Sequence, residues 1–451
     1  MKKTLLATCL AATLAGISFS SQACFTIIVG KDASATGEII VGHNEDNDRR
    51  IITNQYWVPP ATHAKGEMIE FEPAAAKIPQ VEKTFGFWWT QTLAPEGSSF
   101  SDGFVNENGV VIVTNNCNIT IEEKEKFNDG GIGYGIRRLV AERATSARHV
   151  IELMQKYGYF HMGRTYTIAD KNEAWQIALL RGHRYLARKV QDNEIAFMAN
   201  AFSLDKVDLS DKENFIASPD LIEHAVKMGA YKPAKAGDYS DFSFREAYQP
   251  EARRIFPRNK ERVFTILEML TGKEYKDVND YPTAIVPSKK ITVEDVKSYL
   301  RGHSKFEKRE SGWEHETMQD ICNIGTFDSV VFELADNPLL TVAWRTAGRP
   351  SQQFYTPAFP LAGPAANQTY MDWETGTRAQ FHATPEQVSY SPDRTIYTFV
   401  AMQNFLDWMP DERKAFMKDR DAYEKEVTKT MSDAKAHAQL LVGVDKDKAL
   451  Q

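Results

Sequence analysis

Ser21-Gln22-Ala23-Cys24-Phe25-Thr26-Ile27-Ile28-Val29-Gly30, followed at short range by Gly42-His43-Asn44-Glu45-Asp46, decides the reading of this chain. Ahead of it lie Lys2, Lys3 and an apolar run from Leu5 to Ile17. A basic start, an apolar stretch and small residues at Ser21 and Ala23 make a secretory leader with an A-x-A-type cut after Ala23. Cleavage there makes Cys24 the first residue of the exported protein. An N-terminal cysteine carries a thiol and an α-amine on one residue. The amine has an ordinary pKa of about 7.7–8.0 and the thiol one of about 8.5. The amine can therefore take the thiol proton, giving a nucleophile with its own general base. Two other readings stay open at this point. Cys24 could be the acylated cysteine of a lipid-anchored binding protein, although such leaders usually carry Leu three positions earlier, where this chain has Ser21. It could also simply open a strand.

Working outward, Phe25–Val29 is β-rich, 30–37 holds the Gly, Asp and Ser of a turn region, and 38–41 reads as a second strand ending in Gly42–Asp46. A hairpin brings the end of one strand beside the start of the other, so Asp46 is expected at the Cys24 amine or thiol. A solvated charge cluster or a Ca²⁺ loop is the alternative for Glu45, Asp46 and Asp48. Further strands are expected over 85–92 and 104–113, the second broken by an Asn106-Glu107-Asn108-Gly109 turn. Helices are expected over 135–144 and, capped by Ser146, over 147–156. A meander follows at 166–169, 174–180, 184–190 and 194–198. Ser218-Pro219 has the form of a helix start, and Thr292 with Asp295 that of a capping box. Strands return at 329–333 and 339–344, and 395–441 reads as mostly helical. Blocks of strands and helices, with no repeat and no linker, predict a layered α+β fold rather than alternating βαβ units. Residues 24–451 are read as one domain with a helical C-terminal extension, after a leader at 1–23.

Composition narrows the function classes. Removing 23 of 451 residues leaves 428, and losing Lys2 and Lys3 takes the formal charge from −7 to −9. A mildly acidic chain without a Lys/Arg block gives no reason to expect nucleic acid or an anionic membrane as partner. After Ile17 no apolar run approaches the roughly 20 residues of a membrane span. Cys24, Cys117 and Cys322 remain after the leader. An odd number in an oxidising compartment leaves at least one thiol outside any internal bridge. A Cys117–Cys322 disulfide would spare Cys24. The histidines show no metal-ligand spacing, so neither metal nor cofactor is expected.

Cys24-Phe25-Thr26-Ile27-Ile28-Val29-Gly30-Lys31-Asp32-Ala33-Ser34, with His43-Asn44-Glu45-Asp46, resembles the dipeptidase A family of N-terminal-nucleophile (Ntn) cysteine hydrolases. That family typically opens Cys-Thr-Thr, has Val-Gly-Lys-x-Ala-Ser and carries Arg-x-Glu-Asp. The likeness continues through Val105–Val110, Ala199-Asn200, Asp241-Phe242 to Ala247-Tyr248 with Arg253 and Arg254, then Ser329-Val330, Trp344 and Pro357. It is also similar, more distantly, to bile-salt hydrolases and penicillin V acylases, which share the N-terminal Cys and a Gly-Arg-Asn-x-Asp element. His43 stands where both groups usually have Arg. An imidazole is charged for only part of the physiological pH range.

The resemblance implies an Ntn-type four-layer αββα sandwich and hydrolysis of dipeptides through a thioester on Cys24. It implies a catalytic set of Cys24, Asp46, Asn116, Asn200 and Arg254, with the two asparagines around the oxyanion. It places His43, Glu45 and Arg253 at the substrate, with the choice between Arg253 and Arg254 left open. The alternative within the enzyme class is an N-acyl amide hydrolase. Small peptides are the expected partners, in the periplasm or outside the cell, and self-association into a homo-oligomer stays open.

Overall fold

A computed structural model describes residues 24–47, 52–71, 76–93, 99–117, 132–133, 135–160, 163–304, 317–363 and 395–444. The leader and its cleavage site, and Asp48, lie outside these residues. Strand β1 (Phe25–Val29) and strand β2 (Ile39–Asp46) form the expected hairpin, with Thr26 opposite His43 and Val29 opposite Ile40. On its other edge β1 pairs with Ile195–Met198. The first sheet runs Ala284–Ile285, Ile195–Met198, β1, β2, Thr326–Leu334, Val342–Ala347, Thr356–Ala358, and every pairing is antiparallel. The nucleophile candidate thus heads a central strand, locked by ladders on both sides.

The second sheet runs Phe215–Ala217, Tyr185–Val190, Ala174–Leu179, Arg164–Ala169, Val111–Asn116, Ser99–Asn106, Phe87–Leu93, Ile52–Val58. The two sheets face each other. Ile28, Val41 and Val330 of the first meet Trp88, Val111 and Val113 of the second in one apolar cluster. The outer face of the first sheet carries Phe25, Ile27 and Val29. These pack on Val263, Ile266 and Leu267 of helix Pro257–Thr271 and on Val296 and Leu300 of helix Val293–Leu300. The outer face of the second is covered by helices Ile136–Arg143 and Ala147–Tyr157. This is the α+β, αββα layering. It explains why β1 is apolar at nearly every position: strand side chains alternate between faces, and both faces are buried. Each fully buried Ile, Val or Phe contributes about 1.5–3 kcal/mol.

Gly42 marks where a helix meets β2 most closely. A Cβ there would lie 2.6 Å from Val296 Cγ1, so the adjoining His43–Asp46 stretch depends on a glycine for its seat. Gly109, at φ 74°, closes the Asn106–Gly109 turn, and Asn106 Oδ1 accepts from Asn108 N and Val110 N. Ser146 caps the helix Ala147–Tyr157, and Thr292 with Asp295 forms the full capping box. Two local expectations shift. Ser218 Oγ accepts from Tyr185 N instead of capping a helix, which begins at Leu221. The 339–344 strand begins at Val342, because Pro338–Leu340 turns in a 3₁₀ helix.

Past the sheets, helices Thr395–Trp408 and Pro410–Val442 realise the helical C-terminal region. The long helix is tied back by Glu424, which pairs with Arg301 at 2.6 Å, and by Lys435, which pairs with Glu38. No described helix is long and apolar enough to cross a membrane. Cys117 and Cys322 are not bridged: Cys117 Sγ lies 3.5 Å from Thr165 Oγ1, and Cys322 Sγ donates to Ser351 Oγ at 3.3 Å.

Candidate active site

Antiparallel partners share a face, so the Thr26–His43 pairing sets Cys24 beside Glu45 one step further along. The Cys24 thiol donates to Glu45 Oε1 at 3.0 Å. Glu45 Oε2 lies 3.0 Å from His43 Nε2. His43 Nδ1 is 2.8 Å from Thr26 Oγ1, and Thr26 Oγ1 donates to Asn115 Oδ1 of the second sheet at 2.5 Å. All five residues are buried. Proton directions follow from this chain. The Thr26 hydroxyl spends its one hydrogen on a carbonyl oxygen, so it accepts from His43 Nδ1–H. His43 Nε2 then faces a carboxylate oxygen, and that contact requires a proton between them. The His43–Glu45 pair therefore holds a proton, and in its ion-pair form His43 is the cation beside Cys24.

The other face of β2 carries Asp46, which is wholly buried. It accepts hydrogen bonds from Thr326 Oγ1 and Asn323 Nδ2 and lies 3.7 Å from the Arg262 guanidinium. Arg262 comes from helix Pro257–Thr271, where Val263, Ile266 and Leu267 mark the buried face. Its fork donates to the Cys24 carbonyl at 2.6 Å, to Asn200 Oδ1 at 2.8 Å and to Asn259 Oδ1 at 3.2 Å. Asn200 in turn donates to the Asn116 carbonyl at 2.9 Å. One guanidinium thus fixes the Cys24 backbone, Asn200 and the ends of two strands from different sheets.

Burial dominates the electrostatics. It pushes the Cys24 thiol well above its ordinary value, and the nearby Glu45 and Asp46 carboxylates push the same way. It lifts Asp46 to about 8, with Arg262 pulling against it. It lowers Arg262 to about 10, opposed by Asp46. The resting thiol is accordingly held in its protonated form. Removing the Glu45 charge should bring the thiol down. In Glu45→Gln, the pH midpoint for iodoacetamide labelling of Cys24 shifts to lower pH, read by mass on the Cys24 peptide. Cys117, pushed up to about 12, serves as the internal reference. An unchanged midpoint would remove Glu45 from the electrostatics of the thiol.

The structure brings together Cys24, His43, Glu45 and Asp46, and links Asn200 and Asn116 to them through Arg262. It does not give Arg254 or Arg253 that position. Arg254 donates to Asn279 Oδ1 and to the Arg245 and Gln249 carbonyls, none of them at Cys24. Arg253 is half-buried, its guanidinium 5.8 Å from the centre of the Phe256 ring. The arginine at the site is Arg262, on the next helix. The signal for it was present: Arg262 directly precedes Val263 and falls on the apolar stripe with Ile266. Thr26, Asn115, Asn323 and Thr326 are the other residues the sequence reading passed over.

A cysteine at a strand head, with carboxylates on both faces of the partner strand, is the candidate reactive centre of this fold. The description of Peptidase family C69 matches residues 23–409. The chain belongs to peptidase family C69, enzymes that hydrolyse amide bonds. It is 26% identical to a probable dipeptidase of Latilactobacillus sakei, over 78% of this chain and 76% of that one. It is 24% identical to a probable dipeptidase B of Streptococcus pyogenes serotype M1, over 95% and 90%. Among solved structures it is similar to a mutant conjugated bile acid hydrolase from Clostridium perfringens, at 10% identity and TM-score 0.35, covering 74% of this chain and 91% of that one. It is also similar to a penicillin V acylase from Agrobacterium tumefaciens, at 10% and 0.33, covering 80% and 98%.

Proposed function

We propose that this protein is an exported cysteine dipeptidase whose nucleophile, Cys24, is completed by removal of the leader. The observation that carries the reading is the double hold on Cys24: Glu45 on its thiol at 3.0 Å and Arg262 on its carbonyl at 2.6 Å. That hold leaves the amine of the same residue to act as base on a thiol that burial keeps protonated. The thiol proton passes to the amine as sulfur attacks the peptide carbonyl carbon. The amide of Asn116, seated by Asn200, supports the oxyanion; removing one such donor typically costs about 3–4 kcal/mol. The intermediate collapses with the proton returned to the leaving amine, and water hydrolyses the thioester. The dipeptide preference is supported by the relatives described as dipeptidases. On the thiol's face of β2, His43 and Glu45 are the polar groups placed to meet the charged ends of a dipeptide.

The test compares protein beginning at Cys24 with protein that keeps residues ahead of it, on a panel of dipeptides and N-acyl amides. In the extended chain Cys24 has an amide nitrogen in place of the amine, and turnover should be absent until the extension is trimmed. Full turnover by a chain whose mass shows it still extended would refute the amine as base. Preferential cleavage of N-acyl amides would replace the dipeptidase reading with the acylase one. A lipid adduct on Cys24 in the exported protein's intact mass would end both.

A further inference from the structure

Cys24 Sγ, His43 Nε2 and a Glu45 carboxylate oxygen offer three different donor types, buried and all within 4.8 Å of one another. We infer that these three side chains form an inhibitory site for a zinc-class divalent ion, which when bound takes the thiol out of reaction. Thiolate, imidazole and carboxylate together suit a borderline-soft ion that accepts four ligands in a tetrahedron. Three protein ligands leave the fourth position to water or to a group of the substrate.

Two features go beyond proximity. His43 is pre-oriented as metal-bound histidines are: its Nδ1 is engaged by Thr26 Oγ1, Thr26 is engaged by Asn115, and Nε2 meets Glu45 Oε2, whose other oxygen holds the Cys24 thiol. The donors also lie close to the spacing a tetrahedral ion needs. Bond lengths of about 2.3 Å to sulfur and about 2.0–2.2 Å to nitrogen and oxygen place tetrahedral donors about 3.4–3.6 Å apart. The 3.0 Å contacts of Cys24 and His43 run to the two different Glu45 oxygens, so a bound ion draws one oxygen, the sulfur and the imidazole nitrogen, which lie within 4.8 Å of one another, onto that spacing. Binding forms one bond each to sulfur, nitrogen and oxygen. The thiol proton and the proton held between His43 and Glu45 leave to solvent, and nothing is oxidised or reduced.

The experiment is a Co²⁺ titration of reduced, chelator-treated protein beginning at Cys24, without substrate, so that it does not depend on the peptidase reading. One equivalent should produce a thiolate-to-cobalt charge-transfer band, and Zn²⁺ should bleach it. Cys24→Ala should abolish the band, excluding Cys117 and Cys322 as its source. Thr26→Val, which leaves all three ligands in place but unfixes the imidazole, should weaken binding about 10–100-fold. His43→Arg, which has no lone pair to offer, should weaken it at least as much; near-ultraviolet circular dichroism checks that each variant is folded. Absence of the band in folded wild-type protein overturns the inference. So does a band of undiminished affinity in Thr26→Val or in Cys24→Ala, which keeps the test decisive if His43→Arg does not fold.

Discussion

Cys24→Ala is expected to lower kcat/KM on dipeptides by at least about four orders of magnitude, the scale on which loss of a nucleophile is felt, while the protein still folds. Cys24 is buried at the head of β1, and its loss removes a single sulfur. The main structural cost is Glu45 Oε1, which loses the thiol as donor at 3.0 Å; an orphaned buried acceptor costs about 1–3 kcal/mol. Cys24→Ser separates the two effects. The hydroxyl restores the hydrogen bond to Glu45 and with it most of the stability, but an alcohol is a far weaker nucleophile at neutral pH. The expected pattern is therefore stability in the order wild type, Ser, Ala, with only traces of turnover in either variant. Ordinary activity in the Ala variant would refute the mechanism.

Arg262→Met should produce the largest loss of stability of any single change at the site, about 3–5 kcal/mol, because it breaks a buried pair and orphans several buried acceptors at once. The side chain is fully buried and donates at once to Cys24 O, Asn200 Oδ1, Asn259 Oδ1 and the Arg258 carbonyl, beside Asp46. Arg262→Lys keeps the charge but not the fork, and one ammonium cannot span these partners. Both variants should lose turnover in the folded fraction, since the Cys24 backbone is no longer fixed. Adding Asp46→Asn to Arg262→Met should recover part of the stability, a non-additivity that marks direct coupling.

The pH dependence has a definite sign. Asp46 is raised in the folded state, to about 8 from an unfolded value of about 3.9. Its neutral form is thus favoured by folding, and its contribution is fully present below pH ~4 and lost as pH rises towards 8. Arg262 is the strongest influence lowering that value. Without it the loss continues above pH 8, and the gap in Tm between wild type and Arg262→Met should widen from pH 6 to pH 9. A gap that stays constant would show that Asp46 is not coupled to Arg262.

What could be read from residues alone was local. The β1–β2 hairpin, the Asn106–Gly109 turn and the Thr292–Asp295 capping box each rest on residues a few positions apart. So does the neighbourhood of Cys24 with Glu45 and Asp46, because a hairpin converts short sequence separation into contact across a ladder. Even there, alternation along β2 divides the two carboxylates: Glu45 lies on the thiol's face and Asp46 on the helix face, with Arg262. Ser218-Pro219 shows the limit of a local signal, since the Ser218 hydroxyl is claimed by Tyr185 from a neighbouring strand. The resemblance to bile-salt hydrolases and penicillin V acylases implied an arginine near the site, but Arg253 and Arg254 fall one helix short, held by Phe256 and by Asn279 with nearby carbonyls. Arg262, Asn115, Asn323 and Thr326 reach the hairpin across sequence separations of 238, 89, 277 and 280 residues. No spacing rule encodes such contacts. They arise because two sheets stack and a helix closes over one of them, and that packing decides which buried polar groups must find each other as partners.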